Sequence, residues 1–368
     1  MVLPIDKLVE GFRCTVAEIE KDGLPVPPVL ANPLSLLLSI RAGEGRRTQN
    51  EKRLGVPVPR FCIFSVTWLC NLRCIGCYAS QYKRGPGLPL DELRRIIGEA
   101  SELGMFLFVI VGGEPLLVPG LLDVLAERND ALFFFFTNGT LLTDEHAKAM
   151  AASPNIIPII STEGDQELTD SRRGGGVGAK VAAAMALLRG RNAAFGFASM
   201  VTHRNVETVT SRRWCEALWK AGARFGFLID YVPFPHGLDK SLVLTDEDRA
   251  AKLAAVGERQ KEARPLVLNF PPDEYDAGGC QAAGRGFLHI NADGWVEPCP
   301  FSHYAADNLV EKSLTDVLRS GFFRRLRELV AGTPNPKGEC LLFAHDEEVQ
   351  SIAAETGAFR TDAPPDAK

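Results

Sequence analysis

The chain has 368 residues, 46% hydrophobic and 24% charged, with a formal net charge of −5. It can bury a barrel-sized core plus a smaller appendage, and its mild acidity argues against nucleic acid as a main partner. Nine cysteines are too few for a disulfide scaffold at this length, and their clustering points to metal ligation in a reducing, cytoplasmic setting.

Met1 to Glu10 shows no secretory pattern, and residues 1–59 read as a helical N-terminal extension broken by Pro25-Val26-Pro27-Pro28. The apolar stretch Leu34 to Ile40 is far too short to span a membrane. With Arg41, Arg46, Arg47, Lys52 and Arg53 beside it, it suits either peripheral contact with an anionic membrane or a packed helix with a solvated basic loop. From Arg60 onward, apolar strands and helices alternate. Strands are expected at residues 61–66, 105–111, 132–136, 155–160, 195–201 and 225–232, and helices at 89–103, 119–128, 144–151, 178–189 and 207–221. Strands this apolar are buried on both faces, as in a parallel sheet flanked by helices. Unusual residues gather after strand C-termini, which favours an α/β fold with a partial (β/α)6 TIM-like barrel over residues 60–235.

Residues 236–279 read as a linker with a polar helix at 246–262, punctuated by Pro271-Pro272 and Gly278-Gly279. A small C-terminal α+β domain follows over 280–345, with a hairpin of 287–290 and 295–297 and a long helix at 314–330. Residues 346–368 read as a tail with a Pro-rich end.

Cys70, Cys74 and Cys77 lie in a short loop after the first strand, where thiolates converge on one soft ion or cluster and Gly76 permits a tight turn. A structural zinc site takes a fourth protein ligand, whereas three cysteines on a four-iron cube leave one iron open. With Tyr78 next, and Gly112-Gly113-Glu114-Pro115 after the second strand, the pattern resembles the radical SAM superfamily. The resemblance implies a [4Fe-4S] cluster on these cysteines that chelates S-adenosyl-L-methionine. Reductive cleavage then gives a 5′-deoxyadenosyl radical that removes a substrate hydrogen, with flavodoxin or ferredoxin as reductant. It further implies that Gly112 and Gly113 let the cofactor approach, that Glu114 accepts from its amine, and that Tyr78 lies by the adenine. Thr137, Asn138, Ser161, Glu163 and Arg173 are expected around the cofactor, Arg173 as carboxylate partner. Glu163 stands where the family commonly has Asp, and Asp170 with Arg172-Arg173-Gly174 continues the family pattern.

Cys280, then Gly294 and Cys299, resembles the opening of SPASM and twitch extensions, which hold auxiliary iron-sulfur clusters. The full array needs about seven cysteines, whereas here only Cys340 follows. The resemblance implies an auxiliary [4Fe-4S] cluster on Cys280, Cys299 and Cys340, completed by Glu339, His345 or Asp346 or left open to substrate. Buried structural thiols are the plainer reading of the same residues, as they are for Cys14, Cys62 and Cys215. Asp230, at the end of the sixth strand, is a candidate proton acceptor, and His203 and His236 lie on comparable loops. The expected function is a radical SAM oxidoreductase or maturase acting on a peptide or on a small-molecule or lipid substrate. The alternative class is a noncatalytic iron-sulfur electron carrier or a zinc-stabilised binding protein. Residues 1–59 show little of the strand-rich pattern of a leader-peptide-binding domain.

Overall fold

The computed structural model describes residues 5–27, 30, 34–234, 239–262, 264–276, 278–333 and 339–363, without the side chains of 5–12, 34–37, 275, 276 and 332. Seven strands lie side by side, consecutive and parallel: β1 Phe61–Ser65, β2 Leu107–Val111, β3 Leu132–Thr137, β4 Ile156–Ser161, β5 Gly196–Val201, β6 Phe225–Asp230 and β7 Leu266–Phe270. On the far side of β1, β8 Phe287–Ile290 pairs parallel and β9 Val296–Glu297 returns antiparallel to it.

Side chains alternate across this sheet as the pleat requires. On β3, Phe133 and Phe135 join the core beneath the helices, while Phe134 belongs to a second apolar cluster with Phe225, Phe227 and Leu268. The ring centroids of Phe134 and Phe227 are 5.6 Å apart although β4 and β5 separate their strands. Three strand spacings in a flat sheet span about 14 Å, so the sheet is curled into a half-barrel whose lumen these rings fill. On the opposite face, Gly226 makes room for the core beneath the helices: a Cβ there would stand 2.0 Å from the Phe197 ring.

The helices follow ordinary local chemistry. Helix Leu90–Leu103 carries Asp91 and Glu92 in its first turn, buries Leu93, Ile96, Ile97 and Ala100, and ends on Gly104 at φ 107°. The expected helix 207–221 is two helices, Val206–Thr210 and Arg212–Ala221, because Ser211 ends the first and its hydroxyl accepts from the Trp214 amide of the second at 3.2 Å. Ser320 likewise divides the expected helix 314–330 into Leu314–Arg319 and Gly321–Gly332.

Two segments differ more substantially from expectation. The linker of 236–279 contains β7, which extends the barrel sheet by one strand. The tail from 346 is structured through Arg360: helix Asp346–Thr356 buries Val349, Ile352 and Ala353, and β11 Phe359–Arg360 pairs with β10 Tyr304–Ala305. The Pro-rich end beyond 363 and His236 lie outside the described residues.

The N-terminal helices are Ile5–Lys21 and Leu34–Leu54. The second lies against the barrel, with Ile40 at the lower end of the lumen. Its Arg46 donates to the Ser101 carbonyl and its Arg47 pairs with Glu44 and Glu51. Two of the five basic residues considered for membrane contact are thus turned onto the protein. Among the described residues no helix is long and apolar enough to cross a membrane.

Candidate active site

The cysteine loop is tied to every neighbouring strand end. Gly113 and Glu114 donate their amides to the Thr67 and Leu69 carbonyls at 2.6 and 2.8 Å, joining the glycine segment to the residues just before Cys70. Asn71 bonds Thr140 at 2.8 Å and accepts from Asn138 at 2.9 Å, and the Ile75 amide donates to the Arg172 carbonyl at 2.9 Å. Arg84 donates to the carbonyls of Cys70 and Leu72. Gly76 has φ +71°, and a Cβ there would stand 2.7 Å from the Tyr231 ring.

This rim and the aromatic lumen beneath it together line a cavity of about 410 Å³. Of the expected site residues, Cys70, Cys74, Cys77, Tyr78, Gly112, Gly113, Thr137, Asn138, Ser161, Arg173 and Asp230 line it. Glu114, Pro115 and Glu163 do not.

Glu114 is fully buried and turned away from the cavity. It accepts from the Thr137 hydroxyl at 2.7 Å, the Asn138 amide at 2.8 Å and the Leu116 amide at 3.1 Å. Its carboxylate therefore joins the end of β3 to the loop after β2. Burial pushes its pKa up against these hydrogen bonds. Glu163 is also buried, paired with Arg172 Nη1 at 2.5 Å and Arg173 Nε at 2.8 Å, and it reaches the cavity only through the two guanidinium groups it holds.

Asp230 reaches the rim, but Lys252 and Arg249 engage its two oxygens. Burial raises its pKa, opposed by the Lys252 charge. His203 pairs with Asp248 at 2.7 Å on an exposed surface, and Asp170 holds the amides of Gly176 and Gly178. Sequence reasoning did not single out Ser199 and Met200, which line the same wall. Both sit inside β5, where alternation is the only signal and does not say which face holds the site.

The second cysteine set belongs to the same cavity: Cys299 and Cys340 line it, and Cys280 stands close enough for its charge to act on Cys299. Both sets share a local device. The backbone amide two residues on points at the sulfur, Leu72 at Cys70, Ala79 at Cys77, Ala282 at Cys280, Phe301 at Cys299 and Leu342 at Cys340. Burial is the larger effect and raises all five thiols, and amides so placed oppose it by stabilising thiolate, the form that binds iron. No cysteine is in a disulfide, and Arg172 and Arg173 add positive charge beside Cys77. This donor set fits anionic thiolate-bound clusters. Cys62 and Cys215 are buried thiols, and burial pushes Cys215 up to about 11.

The sequence profile of the radical SAM superfamily matches residues 64–215, and that of SPASM, an iron-sulfur cluster-binding domain, matches residues 280–341. The mycofactocin maturase MftC of Mycobacterium ulcerans is 34% identical over 308 residues, covering 78% of this chain and 80% of that protein. The chain belongs to the radical SAM superfamily. Another relative, the AdoMet-dependent heme synthase of Methanosarcina barkeri, is 26% identical over 313 residues, 77% of this chain and 87% of that one. Streptococcus suis SuiB bound to S-adenosylmethionine shares the fold, with TM-score 0.62 at 17% identity over 78% of this chain and 71% of that one.

As a radical SAM protein the chain is an enzyme that uses a [4Fe-4S] cluster with S-adenosylmethionine, and its SPASM segment is an auxiliary-cluster domain. A noncatalytic electron carrier or a zinc-stabilised binding protein is thereby set aside.

Proposed function

We propose that this enzyme is a peptide maturase that abstracts hydrogen from an apolar side chain of a precursor peptide. One observation carries the reading: a single cavity has Cys70, Cys74 and Cys77 on one wall, Cys299 and Cys340 on another, and a floor of aromatic rings. A large apolar group seated there lies within reach of both cysteine sets, and relatives such as MftC and the PqqA peptide cyclase of Ruegeria pomeroyi favour a peptide.

In this reading Cys70, Cys74 and Cys77 hold the catalytic cluster, and Cys280, Cys299 and Cys340 the auxiliary one. When bound, the first cluster supplies the electron that splits S-adenosylmethionine into methionine and a deoxyadenosyl radical, which takes the substrate hydrogen. The chain's own residues bind and orient. Gly112 and Gly113 bring bare backbone to the cofactor, Thr137, Asn138 and Ser161 offer polar contacts at the strand ends, and Arg173 faces its carboxylate. Tyr78 closes the adenine side, its hydroxyl fixed by Ser65 at 3.2 Å. The aromatic floor excludes water, which protects a radical from quenching. Asp230, with Lys252 beside it, takes the proton released as the substrate is oxidised, the accompanying electron would pass to the cluster that Cys280, Cys299 and Cys340 would hold, and flavodoxin or ferredoxin delivers the electron that starts the reaction.

The test is anaerobic turnover of dithionite-reduced, iron-reconstituted enzyme with S-adenosylmethionine and short peptides encoded beside its gene. Formation of 5′-deoxyadenosine, absent in Cys74→Ala, together with an oxidised peptide supports the reading. A second reading, a small apolar molecule as substrate, draws on the same aromatic floor and on the heme synthase relative. Turnover of such a molecule with every peptide inert would establish it instead.

A further inference from the structure

Three cysteines leave one corner of an auxiliary cube to be filled, and His345 and Asp346, two of the three residues first considered for it, face elsewhere. His345 pairs with Glu348 at 3.1 Å, and Asp346 accepts from Gln350 at 2.8 Å on the side of Tyr304. A different carboxylate stands in this place. Glu274 belongs to the short helix Pro272–Asp276 directly after β7, and it lines the cavity together with Cys299 and Cys340. One of its oxygens accepts the Gln281 amide at 3.2 Å, and its carbonyl accepts the Gly279 amide at 3.1 Å, so it is fastened on both sides of Cys280.

Its carboxylate stands near enough for its charge to act on Cys280, Cys299 and Cys340 alike. Arg285, which donates to the Cys280 carbonyl at 2.6 Å, acts on both Glu274 and Cys280. A carboxylate and three thiols gathered in apolar surroundings form a donor set that calls for positive charge between them. Iron supplies that charge, and carboxylate oxygen is an acceptable ligand to it.

We infer that Glu274 is the fourth protein ligand of the auxiliary cluster, completing a Cys3Glu set with Cys280, Cys299 and Cys340. A carboxylate is a harder and weaker ligand to a cluster iron than a thiolate. The corner it holds can exchange with a substrate heteroatom entering from the cavity, which Glu274 already faces.

The inference rests on reading the three cysteines as cluster ligands, and the two are separable in a background lacking the catalytic cluster. The parent for the test is the full chain with Cys70, Cys74 and Cys77 replaced by Ala, reconstituted with iron and sulfide. It is expected to hold about four irons per chain. Glu274→Gln in that background is expected to fall to about three, with the electron paramagnetic resonance signal of a three-iron cluster in the oxidised state. Glu274→Cys is expected to restore the cube with a shifted spectrum. Glu339→Gln, adjacent to Cys340, is the control expected to retain both iron and spectrum.

Unchanged iron content and spectrum in Glu274→Gln overturn the ligand assignment while leaving the cysteine reading intact. Equal loss in Glu339→Gln also overturns it, since the site would then be generally fragile. A parent that binds no iron overturns both.

Discussion

Glu114 and Glu163 mark the limit of what a motif says about a side chain. The sequence places Glu114 beside a cofactor amine, yet its oxygens are occupied by Thr137, Asn138 and Leu116. Its work is to set where the end of β3 stands relative to the glycine segment. Glu114→Ala would leave a buried hydroxyl and a buried amide unpaired, at about 1–3 kcal/mol each. The expected result is a lower urea midpoint together with weaker S-adenosylmethionine binding by equilibrium dialysis. A variant with normal stability and only weakened binding would instead point to direct contact. Glu163 was legible as a departure from the family pattern, but its partners were not. Both arginines fold back on it because a lone buried carboxylate needs positive charge, and that becomes visible only once the helix after β4 is in place.

At the scale of elements, the strands and their order were legible because a buried parallel sheet demands continuous apolar runs, and the cysteine and glycine segments announced themselves by spacing. β7 was not, since five residues between a polar helix and two prolines carry no periodicity that separates a strand from a linker. The two split helices were missed for a different reason: Ser211 and Ser320 sit inside apolar patterns that continue across them, so only the capping hydrogen bonds reveal the breaks. The glycine segment offers a sharp test. A Cβ on Gly113 would stand 2.0 Å from the Leu69 carbonyl oxygen, whereas one on Gly175 would meet nothing within 4 Å. Gly113→Ala is therefore expected to displace the segment that leads into Cys70 and to abolish cofactor binding, while Gly175→Ala leaves the binding isotherm unchanged. Equal behaviour of the two would show that close backbone approach is not required there.

Across the whole molecule, the C-terminal unit is bound to the barrel by buried polar contacts as well as by strand pairing. Ser65 meets His289 at 2.8 Å, His289 meets Glu297 at 2.8 Å, Tyr82 donates to Glu297 at 2.8 Å, and Trp68 donates to Asp293 at 2.8 Å. The chain end is fastened by Asp362, whose side chain is 1% exposed and contacts His303 at 2.9 Å and Arg360 at 2.8 Å. Burial alone would raise this carboxyl, but the His303 hydrogen bond and then Arg360 outweigh it and hold its pKa down at about 2. A depressed carboxylate contributes stability that is fully present above its ordinary pKa near 3.8 and is lost as pH falls through about 2. The shift corresponds to about 2 kcal/mol. Wild type and Asp362→Asn are thus expected to differ in unfolding free energy by a constant amount above pH 4, with the gap narrowing between pH 4 and 2. A gap independent of pH over that range would exclude the ion pair as its origin.

The pairing of β8 on β1 also has a bearing on electron traffic. One hairpin both continues the barrel sheet and carries Cys299 forward, so the place of Cys299 relative to the first cysteine loop is set by strand register. A single sheet therefore spans donor and acceptor like a rigid strut. In the proposed reading, an electron passing between clusters held at the two sets crosses a distance that no rigid-body closure resets, and its rate is expected to be independent of solvent viscosity.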